Sequence, residues 1–176
     1  MEGVVTREAV AGDVPAIAAI YADAVANGTA SFEIVPPDEA EMARRLTSLA
    51  ERGYPWFVAE RDGRIIGYGY AGPYCERAAY RSTVEDSIYL SPEAQGQGVG
   101  GVLLRRLIDA CVAKGFRQMV AIIGGSEHTA SIRLHKAAGF ADIGVLKNVG
   151  YKHGRWLDSV IMQRQLGTGA ETPPST

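Results

Sequence analysis

The chain has 176 residues, 47% hydrophobic and 22% charged, with a formal net charge of −2, which suits one globular domain with a sizeable core and lacks the strongly basic surface expected for nucleic-acid binding. No apolar run approaches the ~20 residues of a membrane span, and residues 1–6 lack the basic and apolar segments of a signal peptide. The two cysteines, Cys75 and Cys111, make neither a disulfide framework nor a metal-spaced cluster, so the expectation is a cytoplasmic protein with no metal.

In chain order, residues 4–10 begin with a short extended stretch. Asp13 precedes a helix with Pro15 in its first turn, where a missing N–H costs little. Ile17, Ile20, Tyr21, Ala24 and Val25 share one helical face, and Asn27-Gly28 ends it. Ser31-Phe32 reads as a short extended piece and Pro36-Pro37 as a break. Met42, Leu46 and Leu49 mark a second helix ending at Gly53. Residues 56–60 and 64–70 read as strands joined by Asp62-Gly63, a strong hairpin signal. Residues 83–90 form a third strand and 91–101 a loop. A long helix then runs to about Lys114, with Leu103, Leu104, Leu107, Ile108, Cys111 and Val112 inward and Arg105, Arg106 and Asp109 outward. Gly115 suits its C-terminal cap. Residues 118–123 read as a buried strand and 129–138 as a short helix stopped by Gly139. Residues 143–149 and 156–165 are the last strands. The domain is read as 1–166, and 167–176, without a large apolar residue, as a disordered tail.

The most informative segment is 84–101, where a strand, a glycine-rich turn and a helix start follow one another. The first N–H groups of a helix are unpaired and lie at the positive end of its dipole. Glycines there let an anion approach them, and a pyrophosphate is a natural ligand. Gly96, Gly98 and Gly101 also satisfy G-x-G-x-x-G. The dinucleotide reading nevertheless fails, because no acid ends the next strand, Ile122-Ile123-Gly124-Gly125, and because the glycines follow the first strand only after a gap. No Gly-Lys-Ser/Thr follows, which excludes a P-loop. A turn without any ligand stays as the plain alternative.

Gln95-Gly96-Gln97-Gly98-Val99-Gly100 resembles the acetyl-CoA pyrophosphate loop of the GNAT N-acetyltransferases. Ser131-Ile132-Arg133-Leu134-His135-Lys136-Ala137-Ala138-Gly139-Phe140 is similar to their second signature, a short helix ending in Gly-Phe. The resemblance narrows to the phosphinothricin and methionine sulfoximine acetyltransferases through Ala30-Ser31-Phe32-Glu33, Gly67-Tyr68-Gly69-Tyr70, Thr83 to Tyr89 and, most specifically, Gly150 to Asp158. It implies an α/β GNAT fold with a mixed, splayed sheet flanked by helices, acetyl-CoA in the cleft, and a homodimer. It also implies direct acetylation of the α-amino group of a small glutamate-like amino acid analogue. The implied cofactor contacts are Ile88, Tyr89, Leu90, Gln95, Gly96, Gln97, Gly98, Val99, Gly100, Gly101 and Ser131. His128 takes a position where the subfamily has Asn.

An α-amine is mostly protonated near neutral pH, so such a transfer calls for a base. Glu85 is the candidate. By strand alternation it shares a face with Ser87, while Asp86 points the other way. His135 is the candidate acid for the departing thiolate; many relatives have Tyr there, and a histidine that merely orders the adjoining loop is the other reading. A backbone N–H near Leu90 would hold the oxyanion. The resemblance implies substrate-side positions for Phe32, Arg77, Tyr80, Asp86 and Ser87, with Arg77 suited to a carboxylate or phosphinate fork or else simply a solvated loop residue. Lys152, His153 and Arg155 form a basic cluster on the substrate side or at a dimer contact. Cys111, on an apolar helix stripe, reads as core. A different amine acceptor and a non-catalytic acetyl-CoA sensor remain as alternative functions.

Overall fold

The computed structural model describes residues 3–174. The chain forms strands β1 (Val5–Glu8), β2 (Trp56–Arg61), β3 (Arg64–Pro73), β4 (Thr83–Leu90), β5 (Gln118–Gly124), β6 (Ala141–Lys152) and β7 (Arg155–Gln165). Its helices are α1 (Val14–Asn27), α2 (Glu39–Glu51), α3 (Val99–Ala113) and α4 (Thr129–Ala137). The strands make one seven-stranded sheet in the order β1-β2-β3-β4-β5-β7-β6. Every neighbouring pair is antiparallel except β4 and β5. Those two are parallel because α3 carries the chain back across the sheet between them.

Alternation along the strands splits the core into two layers. Trp56, Val58 and Tyr68 pack with Val14, Ile17, Tyr21, Val25, Met42 and Leu46 of α1 and α2. On the other face, Phe57, Ala59, Leu103 and Leu107 pack together, and Val84, Leu104, Ile108, Cys111, Met119 and Met162 form the adjoining cluster. Cys111 is fully buried there, as its helical stripe suggests.

The structure departs from the sequence expectations in several places. Val112 is 41% exposed, so the inward stripe of α3 stops at Cys111. Ser31-Phe32 joins no strand. The last hairpin is longer than hydrophobicity suggests, with β6 running 12 residues. Its first part is exposed and irregular, with register shifts between Asp142 and Gly144 and between Leu146 and Gly150. Asp38 caps α2 by accepting the Glu41 N–H at 2.8 Å. After Leu166, Arg117 donates to Thr168, Gly169, Thr172 and Pro173. The expected disordered tail extends to Thr176, and its last two residues lie outside the described ones. Among the described residues, no helix is long and apolar enough to cross a membrane.

Candidate active site

Strands β4 and β5 pair only from Thr83/Gln118 to Asp86/Ala121. Beyond that rung, Ser87–Leu90 stays on β3 while Ile122–Gly124 stays on β7, and the sheet opens between them. A cavity of about 460 Å³ occupies the opening and runs to the turn before α3. Ser91 N–H donates to Ile66 O at 3.0 Å, towards β3. By alternation, the Leu90 N–H points the other way, into the opening.

The glycine turn supplies the cavity's polar end. Gly96 and Gly98 have φ of 72° and 81°, a region costly for residues with a Cβ. Gly98 O accepts the N–H groups of Gly101 and Val102, and the earlier N–H groups of the turn have no intrahelical acceptor. Gly96, Gly98, Gly100 and Gly101 line the cavity with Gln95. Gln97 instead turns its amide back to Glu93 O, and Val99 is fully buried in the core. Across the cavity, α4 and the residue before it contribute His128, Ser131, Arg133 and Leu134.

His135 lies inward on α4 and is 4% exposed. Its Nε2 lies 3.0 Å from Asp86 Oδ2 and its Nδ1 2.8 Å from Ser131 O, so both ring nitrogens are engaged. Burial works against the charged ring, but the hydrogen bond to Asp86 and its charge outweigh burial and raise the His135 pKa. Asp86, expected to meet substrate, is held chiefly by this histidine.

Glu85 lies on the opposite face, outside the cavity lining, and its register partner on β3 is Gly72. Burial first, then the charge of Asp86, push its carboxyl up to about 7. Ser87 shares that face opposite Tyr70 and also lines the cavity. Tyr68, Tyr70 and Tyr89 stack there beside Trp56. The β3–β4 loop, which carries Arg77 and Tyr80, begins just past Glu85's end of β4. Arg77 is exposed and makes no ion pair among the described residues, and Tyr80 meets Tyr74 edge to face.

Of the remaining predicted residues, Phe32, Lys152 and His153 pin the loop between α1 and α2. Phe32 is seated in a notch over Gly124 and Gly150, where a Cβ would approach its ring to 2.8 and 2.5 Å. The basic cluster does not exist as such. Lys152, 5% exposed, donates to Ser31 O at 2.8 Å, and His153 Nε2 donates to Gly28 O. Arg155 pairs with Glu127 at 2.7 Å. Tyr21 and Ser31 hydroxyls add a 2.8 Å hydrogen bond, and Arg45 holds Glu33.

Thus the opening collects Asp86, Ser87, Ile88, Tyr89, Leu90, Gln95, Gly96, Gly98, Gly100, Gly101, His128, Ser131 and His135, while Glu85, Phe32, Arg77, Tyr80, Gln97 and Val99 lie off its wall. Sequence reasoning missed Ala24, Ala30, Ala130, Arg133, Leu134 and the Ala121–Gly124 wall. The apolar β5 run marks that wall as strand but carries no sign of the cleft beside it.

A parallel pair that parts around a cavity, with a glycine turn heading the crossover helix, defines the acetyltransferase class to which the sequence pointed. The family model described as "Acetyltransferase (GNAT) family" matches residues 17–140; the chain belongs to that family and is an N-acetyltransferase. It is 54% identical over 162 residues to the phosphinothricin N-acetyltransferase of Alcaligenes faecalis, covering 92% of this chain and 82% of that one. It is 40% identical over 168 residues to an L-methionine sulfoximine/L-methionine sulfone acetyltransferase of Pseudomonas paraeruginosa, covering 95% of this chain and 97% of that one. The crystal structure of a Sinorhizobium meliloti phosphinothricin acetyltransferase in complex with acetyl-CoA superposes with a TM-score of 0.95 at 51% identity, covering 98% of this chain and 93% of that one.

Proposed function

We propose that the protein transfers the acetyl group of acetyl-CoA directly to the α-amino group of a small glutamate-like amino acid analogue of the phosphinothricin or methionine sulfoximine type. The names of the relatives support that acceptor class, and the acetyl-CoA complex of the Sinorhizobium meliloti protein supports the cosubstrate. The observation that carries the reading is the layout of β4. Its Leu90 end opens onto the glycine turn, and five residues back it carries Glu85, with a carboxyl pushed up to about 7.

In this reading the N–H groups of the turn that lack an intrahelical acceptor, at Gly96–Gly100, hold the pyrophosphate. Glu85 takes the proton of the attacking amine, directly or through water, with a basicity matched to neutral pH. The Leu90 N–H, aimed into the opening, meets the oxyanion. Cys111 is an unsuitable acyl carrier, because burial pushes its thiol up to about 12; this favours direct transfer. His135, with both ring nitrogens engaged, fits better as the holder of Asp86 and of α4 than as a free proton donor. Phe32, Arg77, Tyr80 and Ser87 surround the acceptor side, with Arg77 free to take an anionic group. None of these steps uses a metal ion.

The protein works, in this reading, as a homodimer that covers the exposed β6 edge. The activity test is release of free CoA across a panel of acceptors. Phosphinothricin and methionine sulfoximine are acetylated and spermidine is not; efficient polyamine acetylation overturns the acceptor assignment.

A further inference from the structure

Asp158 stands on β7 where its ladder with β6 breaks. Leu146 pairs with Ser159 and Gly150 with Leu157, so Lys147, Asn148 and Val149 bulge out against Asp158. Asn148 turns there with φ of 55°. The Asp158 side chain is 15% exposed and closes the bulge. Its Oδ1 accepts the Asn148 N–H at 3.1 Å and its Oδ2 accepts Lys147 Nζ at 2.8 Å. Oδ2 also accepts the Ser126 hydroxyl at 2.9 Å, and the Asp158 carbonyl accepts the Gly125 N–H at 2.8 Å. Lys147 first, then the Asn148 N–H and the Ser126 hydroxyl, hold the carboxyl down to about 2, so it is an ionised acceptor at neutral pH. Gly125 and Ser126 belong to the turn of residues 125–128 between β5 and α4. Gly124 before this turn and His128 at its end line the cavity, and α4 brings Ser131, Arg133 and Leu134 to the same wall. His135 is the buried residue of α4, whose other residues are exposed or half-buried. A short helix with so little buried surface takes its position from what holds its ends. His135 holds the far end through Asp86. Asp158 holds the turn at the near end, beside an Arg155–Glu127 pair that is about half exposed and worth little.

We propose that Asp158 is a positioning residue for acetyl-CoA: by holding Ser126 it fixes where α4 begins, and so keeps the wall carrying His128 and Ser131 in place across the cavity from the glycine turn. The inference rests on the acetyl-CoA reading above. Asp158 and Ser126 stand off the cavity wall, so the effect is on the shape of the site and not on a contact to the cosubstrate. Without the tie, the start of α4 samples positions that do not fit the cosubstrate, and apparent affinity falls with the fraction that still fits. A hydrogen bond to a charged group, at the lower end of its range, is worth about 10-fold in an equilibrium constant. The expected loss of affinity is therefore about 3- to 10-fold.

The test compares three variants by calorimetry with acetyl-CoA and by steady-state kinetics. Ser126→Ala removes the tie and leaves the contacts to Lys147 and Asn148 intact. Its acetyl-CoA Kd and KM rise about 3- to 10-fold, while the acceptor KM stays within about 2-fold of wild type. Asp158→Asn turns an amide N–H towards groups that are themselves donors and weakens acetyl-CoA at least as much. Combining it with Ser126→Ala adds little further, because both changes break one contact. Lys147→Met removes the exposed arm of the bulge contact and binds acetyl-CoA as wild type does. Wild-type affinity in a folded Ser126→Ala protein overturns the proposal. So does equal weakening in Lys147→Met, which assigns Asp158 to the bulge alone, or an acceptor KM that rises as much as the acetyl-CoA KM, the mark of general loosening. If Asp158→Asn does not fold, Ser126→Ala against Lys147→Met decides. Wild type that binds no acetyl-CoA overturns the acetyl-CoA reading itself and this inference with it.

Discussion

Glu85 shows how one residue can be costly for the fold and useful for chemistry. Its carboxyl has an ordinary value of 4.5 and is pushed up to about 7 in the folded chain. Well below pH 4.5 it is protonated in both states and no charge is buried. Above about pH 7 the native protein carries a buried charge that the unfolded chain keeps in water. Stability is therefore lost as pH rises from 4.5 to about 7. Glu85→Gln removes that loss, so its melting temperature gains on wild type across this window; a gap that stays flat with pH removes the argument. The same substitution takes away the base, and kcat falls about 10²- to 10⁴-fold at neutral pH while acetyl-CoA affinity holds. The wild-type rate climbs through an acidic limb near pH 7, and that limb disappears in Glu85→Gln. If the limb persists unchanged, it belongs to another group. At the cofactor end, Gly98→Asp puts a charge and a strained φ where the pyrophosphate sits. It weakens acetyl-CoA binding by at least about 10-fold in calorimetry, and unchanged affinity in a folded variant removes the turn from the site. The opposed faces of Glu85 and Asp86 were legible from alternation alone. The Asp86–His135 pair was not, because it joins residues 49 apart in the chain and sequence pattern carries no such distance.

At the scale of elements, the sequence showed every helix and strand of the sheet, since hydrophobic period and turn residues are local signals. The work of the loop between α1 and α2 stayed hidden, because its partners are remote. The Gly150–Asp158 segment looks like a basic cluster, yet Lys152 and His153 spend their donors on the backbone of residues 28–31. Gly150 is small because Phe32 fills the space above it. A Gly150→Ala methyl would meet the Phe32 ring at 2.5 Å, so the ring must leave the notch. Overpacking of this kind costs about 1–3 kcal/mol. Because one contact is responsible, adding Phe32→Ala recovers much of the loss, and the two changes are non-additive in denaturant melts. The kinetic mark of Gly150→Ala is a rise in acceptor KM larger than any rise in acetyl-CoA KM. Strictly additive melts, or an acetyl-CoA KM that rises most, count against this loop as a wall of the acceptor side.

At the scale of the molecule, β6 is the outer strand of the sheet, so one edge of its 12 residues is left unpaired. Along it Ile143, Val145, Leu146, Val149 and Tyr151 are each 43–59% exposed, and Trp156 across the hairpin is 62% exposed. A long apolar edge of this kind invites association unless something covers it. The proposed cover is a second copy of the chain, in which a two-fold contact sets the same patch against itself. A stable contact takes about 800 Å² from each partner. Sedimentation of wild type at micromolar concentration then gives twice the chain mass. Val145→Lys brings like charges together across the two-fold axis and shifts the protein to monomer. The glycine turn and β4, which hold the cosubstrate in this reading, are not part of the β6 edge, so the monomer is expected to keep acetyl-CoA binding even where acceptor turnover falls. Wild type that sediments as a monomer sinks the dimer. A Val145→Lys protein that stays dimeric moves the contact off β6, and the exposed hairpin then needs another partner.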